Sequence, residues 1–223
     1  MRRIIVLALK IRTFLPSFFA VIFMLVVPRL LRAEDVFEAV KDGNTAALME
    51  YVKSGGSLNQ YNQQGMTLLM TAAANNRVAA IKILLDAGAL IDMKGVEGKT
   101  ALFFAVERGN IESIQLLIKS KADLNARIAG GVTVFVYAVE HDNPDIVKTL
   151  IEAGADVDVK IDGGITAIMT ACDHGQIEIV KLLLKAHADL EAVDKDGRTV
   201  LMRMNAAGRG EIVSLLKEAG AIK

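Results

Sequence analysis

The 223-residue chain has no tryptophan, one cysteine and three histidines. With Cys172 alone, no disulfide can form within the chain, even in an oxidising compartment. Without tryptophan, and with aromatics at 5% of residues, no stacking platform of the kind that reads RNA is visible. Neither a nucleophile elbow nor a P-loop pattern occurs. Net charge is zero, but the zero hides an asymmetry. Residues 1–33 hold six basic residues and no acid, which leaves 20 basic against 26 acidic residues over 34–223, a net charge of −6. An acidic body is not built for a phosphate backbone, so nucleic acid is not expected as a partner.

What is abundant is apolar: 52% of residues, with a mean hydropathy of +0.38. Part of that excess is local. Arg2, Arg3, Lys10 and Arg12 precede an uncharged run, TFLPSFFAVIFMLVVP over 13–28, and Arg29 and Arg32 follow it. A basic opening, a short apolar run and a small residue at Ala33 fit a secretory signal peptide over 1–33. The run is short for a membrane span, which takes roughly 20 apolar residues. An uncleaved signal anchor is the second reading, since Ile4 to Leu9 could extend the apolar face, and a buried amphipathic helix is the third. In the first two the basic flank keeps the amino end cytoplasmic and exports the rest.

The remainder, 34–223, repeats itself every 33 residues. Gly65, Gly98, Gly131, Gly164 and Gly197 keep that spacing without a slip, and Thr67, Thr100, Thr133, Thr166 and Thr199 follow at a fixed offset. Ala72, Ala105, Ala138 and Ala171 form a third column, and Leu84, Leu117, Leu150, Leu183 and Leu216 a fourth. Asn76, Gly109, Asp142, Gly175 and Gly208 separate two short helices in each unit, being residues that tolerate a left-handed backbone. Closing turns place Asp92, Asn125, Asp158 and Glu191 in register. The second helix, as in Ile177 to Leu184, has an apolar stripe too wide for a lone helix in water, so each unit must be covered on both sides.

At these residues the chain resembles the ankyrin-repeat family, whose unit opens G-x-T-P-L-H-x-A and closes L-L-x-x-G-A-D-V-N. The resemblance implies an all-α solenoid of stacked helix-turn-helix units joined by β-turn fingers, about six in number. The family's proline is replaced by Leu68, Ala101, Val134, Ala167 and Val200, and its histidine by Met70, Phe103, Val136, Met169 and Met202. Contacts between neighbouring units should therefore lean more on apolar packing. The expected units are an amino-terminal capping repeat over 34–60, internal repeats over 61–92, 93–125, 126–158 and 159–191, and a carboxyl-terminal capping repeat over 192–223. Glu38, Lys41 and Glu50 suit the outer face of the first unit, and Arg203, Asn205 and Lys217 suit that of the last.

Catalytic residues and a metal site are not expected. His141 and His174 are 33 residues apart, so they occupy equivalent places about one helix spacing from each other. That is farther than two ligands of one ion allow. Cys172 shares a column with Ala73, Val106 and Val139 and reads as a small core residue. No cofactor is implied.

What the resemblance implies instead is a binding surface on the concave side, formed by finger tips and first helices. Carried over by column, that face comprises Gln63, Gln64, Met66, Val96, Glu97, Lys99, Glu107, Arg108, Val132, Glu140, His141, Ile165, Asp173, His174 and Arg198. Met66, Val132 and Ile165 are expected exposed among the charges, as in a protein-binding face. The expected molecule is a monomeric, exported, non-catalytic array that binds another protein in a bacterial periplasm as scaffold, chaperone-like partner or inhibitor. A membrane-tethered array at the inner membrane is the alternative, touching the membrane only through its leader, and a metal-dependent enzyme is the third class.

Overall fold

The computed structural model describes residues 33–222. The leader expected over 1–33 thus falls, apart from Ala33, outside the described residues. Twelve α-helices follow in pairs: α1 (Ala33–Asp42) and α2 (Thr45–Lys53), α3 (Leu68–Ala74) and α4 (Val78–Asp86), α5 (Ala101–Glu107) and α6 (Ile111–Lys119). Then come α7 (Val134–Glu140) and α8 (Pro144–Glu152), α9 (Ala167–His174) and α10 (Ile177–Lys185), α11 (Val200–Ala206) and α12 (Gly210–Glu218). No helix among the described residues is long and apolar enough to cross a membrane.

The threonine column starts the inner, odd-numbered helices. Thr67, Thr100, Thr133 and Thr199 each accept, through Oγ1, the amide three residues on, at 3.2 to 3.4 Å. Such a cap is worth about 1 kcal/mol. Thr166 departs from its column: its hydroxyl is buried without a protein partner. Pro144 opens α8, where its missing N–H costs nothing, behind Asn143, whose Oδ1 accepts the Ile146 amide at 3.2 Å. Each inner helix ends at a left-handed residue, and Asn76 (φ 52°) and Asp142 (φ 50°) fill that place where glycine does not. His187, at φ 59°, does the same at the end of α10.

Inner helices stack on inner helices and outer on outer, and each substantial contact lies within a pair or between adjacent pairs. The seam between the two layers is the core. Leu84, Leu117, Leu150, Leu183 and Leu216 are fully buried, and Tyr51 occupies their column in the first unit. Its hydroxyl donates to the Ser57 carbonyl at 3.1 Å. At the family's histidine position Met70, Phe103, Val136 and Met169 are buried, so apolar packing does replace the polar contact, whereas Met202, in the last described pair, is 41% exposed.

Polar bonds stitch the units together along the closing turns. The side chains of Asn59, Asp92, Asn125, Asp158 and Glu191 accept the amides of Leu90, Asp123, Asp156, Asp189 and Ile222, each 31 residues on, at 2.8 to 3.3 Å. A second row joins outer helices to the preceding inner ones. Arg77, Asn110, Gln176 and Arg209 donate to the carbonyls of Lys41, Ala73, Val139 and Asp173 at 2.7 to 2.8 Å. Those carbonyls close their inner helices, and the ones of Ala73 and Val139 also accept the amides of Asn76 and Asp142 at 3.3 and 3.1 Å, so the added bonds tie one unit to the next.

Candidate functional site

Five fingers project between the pairs, and all are closed by one backbone pattern. The first residue of each (Asn62, Gly95, Ile128, Ile161, Asp194) donates to the fifth (Met66, Lys99, Val132, Ile165, Arg198), at 2.8 to 3.1 Å. Gly65, Gly98, Gly131, Gly164 and Gly197 donate back to the first residue, and all five are left-handed, which is why glycine recurs there. The fingers and the inner helices share one face of the array.

At the amino end of that face lies a groove of about 280 Å³, bordered by α1, the first finger, α3 and the end of α5. Phe37, Met66, Ala74 and Phe104 make its floor, and Gln64, Asn75 and Arg108 are among the polar groups at its rim. Glu38 and Lys41, expected on the outer face of the first unit, are well exposed, line this groove and pair with each other at 3.3 Å. Val36, Phe37 and Val40 take the buried side of α1.

The middle of the face is an ion-pair cluster over aromatics. Lys99 Nζ lies 2.9 Å from Glu97 and 2.8 Å from Glu107, and 5.7 Å from the centroid of the Phe103 ring. The Glu107 carboxylate, with Glu97, raises the Lys99 pKa above its ordinary value. Tyr137 meets Phe103 edge-on, with centroids 5.0 Å apart, and carries His141 stacked on its other side at 4.0 Å. Burial raises the Tyr137 phenol.

The carboxyl end is built around Arg203. Its guanidinium bridges Asp173 and Asp194, both at 2.5 Å, so Arg203 is not the solvent-facing end-cap residue its sequence position suggested. Asn205 and Lys217 are exposed. The Arg198 amide, then Arg203 and the Asp196 amide, hold the Asp194 carboxyl down at about 2 against the burial that would raise it.

Of the residues expected on this face, Gln64, Met66 and Arg108 meet in the groove. Glu97, Lys99 and Glu107 meet in the central cluster, His141 joins Tyr137, Asp173 joins Arg203, and Arg198 joins Asp194 and Asp196. Gln63 and His174 are exposed, Val96 is 50% exposed at the tip of the second finger, and Glu140 is half-buried. Met66, Val132 and Ile165 are half-buried rather than exposed, because the fifth finger residue turns back toward its inner helix. Sequence reading missed Phe37, Lys41, Phe104, Tyr137 and Arg203. Phe104, Tyr137 and Arg203 share a column with Glu38, Thr71 and Thr170, one helical turn before the Arg108 column, and an i, i+4 rule applied to Arg108 and His141 finds it.

No group of three or more His, Cys, Asp or Glu among the described residues is placed to hold a metal. Cys172 is fully buried, and burial, with the charge of Asp173, pushes its thiol up to about 12. A thiol so placed is a packing residue.

The family model for ankyrin repeats (3 copies) matches residues 36–128 and 135–223. The chain belongs to the ankyrin-repeat family. A search of curated proteins returned no match. Ankyrin repeats are protein–protein interaction modules, typically non-catalytic.

Proposed function

We propose that the chain is a non-catalytic binder, exported to a bacterial periplasm, that holds another protein as a scaffold, chaperone-like partner or inhibitor. The observation that carries the binding reading is the groove between the first finger and three inner helices, where, among the described residues, an apolar floor stays open beneath polar rim groups. At the middle and the carboxyl end of the finger face, Glu97, Lys99 and Glu107, and Asp173, Asp194 and Arg203, are engaged with one another. Export rests on the six basic residues and the apolar run of 1–33. If that leader stays attached, the same array is tethered at the inner membrane.

Affinity capture from an envelope fraction with the full chain tests the binding face. A groove variant, Ala74→Gln, should lose the retained protein while an outer-helix variant, Glu178→Lys, keeps it. Retention by both variants places the contact elsewhere. The mass of the purified protein decides the leader: about 24.0 kDa for an attached one, less for a cleaved one.

A further inference from the structure

We propose that the groove selects an extended segment of the partner that sets an apolar side chain beside an acidic one, with Arg108 as the residue that reads the carboxylate. The inference rests on the groove being the binding face.

Its basis is a census of cations. Lys99 is held by two glutamates and is 16% exposed, Arg203 by two aspartates, and Arg198 by Asp194 and Asp196. Lys41 pairs with Glu38, both well exposed. Of the two cations that line the groove, Lys41 and Arg108, only Arg108 has neither an ion pair nor a side-chain hydrogen bond among the described residues, and it is exposed at the rim of the apolar floor. A guanidinium offers a rigid fork of donors that fits a carboxylate in two parallel bonds. The neighbouring acid, Glu107, pairs with Lys99 at 2.8 Å and not with Arg108.

The amides at the rim indicate an extended segment. Asn75 Nδ2 donates to the Thr71 carbonyl at 2.8 Å, and Gln64 Oε1 accepts from Asn62 at 2.9 Å. That leaves Asn75 Oδ1 as an acceptor and Gln64 Nε2 as a donor, the two groups a peptide unit of an extended chain requires. Phe37, Met66 and Phe104 below them fit an aromatic or branched side chain. The net charge of −6 over 34–223 does not oppose this at close range, because physiological salt screens charges beyond about 8 Å and leaves the groove to its own lining.

Fluorescence anisotropy on the full chain tests the inference, with a labelled nonapeptide carrying Leu-Phe-Glu at its centre, capped at both ends, and two counterparts in which Gln or Lys replaces Glu. The Glu peptide should bind about tenfold or more tighter than the Gln peptide, and the Lys peptide weakest of the three. Arg108→Gln should bring Glu and Gln peptides to equal affinity, with the urea midpoint unchanged. A preference for Glu that survives Arg108→Gln overturns the inference, as does equal binding of the three peptides or none by any at about 1 mM. Ala74→Gln, or Gln64→Trp at the exposed finger tip should the first not fold, separates the two readings. If it abolishes binding while Arg108→Gln leaves the charge preference, the groove stands and the acidic partner falls; if it changes nothing, the groove falls too.

Discussion

The outermost fingers and the inner ones reach one backbone shape by different means. In the first and the last, Asn62 and Asp194 each accept two amides through one side-chain oxygen, those of Gln64 and Met66 and those of Asp196 and Arg198, at 2.9 to 3.0 Å. In the three between, the same place holds Gly95, Ile128 or Ile161, and the turn instead takes two successive left-handed residues, Glu97–Gly98, Gly130–Gly131 and Gly163–Gly164. Inner fingers have a neighbour on each side. A Cβ on Gly164 would lie 3.1 Å from the Val193 carbonyl oxygen, whereas one on Gly197 would meet nothing. At Gly164 the neighbouring finger's backbone confines the turn, whereas at the last finger the Asp194 carboxylate holds it.

The largest break in that comparison is a core truncation in the middle against the same truncation at the end. Leu117 and Leu216 are both fully buried. Leu117→Ala should cost about 2 to 5 kcal/mol in urea melts. Leu216→Ala should cost less, because the cavity opens on one flank only and the final unit can loosen without the rest. Equal losses would mean that the array melts as one block.

A finer contrast uses the fingers themselves. Gly164 and Gly197 have φ of 74° and 72°, so alanine meets the same left-handed penalty at both, about 1 to 2 kcal/mol. Gly164→Ala adds the close approach to Val193 and should lower the urea midpoint further than Gly197→Ala. If the two variants match, the inner fingers are not confined by their neighbours.

Most of the architecture was legible because it is periodic. A glycine that must be left-handed, a threonine that caps and a leucine in the seam each recur every 33 residues, and each follows from one physical requirement repeated. The site was legible less well, since binding depends on what breaks the period. Phe104 and Tyr137 stand in a column that otherwise holds Glu38, Thr71, Thr170 and Arg203, so no one residue type marks it, and Lys99 looks like a surface charge until Glu97 and Glu107 close on it. Arg203 read as an end cap because its earlier counterparts are uncharged apart from Glu38; that Asp173, thirty residues back, would meet it required the stacking of α9 on α11.

The smallest expected effect tests the charge at the last finger. Asp194 titrates at about 2 in the fold against an ordinary value of 3.8, so its contribution to stability is complete above pH 4 and is lost as the pH falls toward 2. Asp194→Asn keeps an oxygen for the two amides and removes the charge that Arg203 faces. Its urea midpoint should therefore lie below that of the parent at pH 6 and pH 4, and the gap should close between pH 4 and pH 2, where the parent's carboxylate also takes its proton. Other acid-sensitive groups are common to both proteins and cancel in the difference. A gap that stays constant down to pH 2 would assign the effect to the shape of the side chain, and the last finger would then be held, like the inner ones, without help from charge.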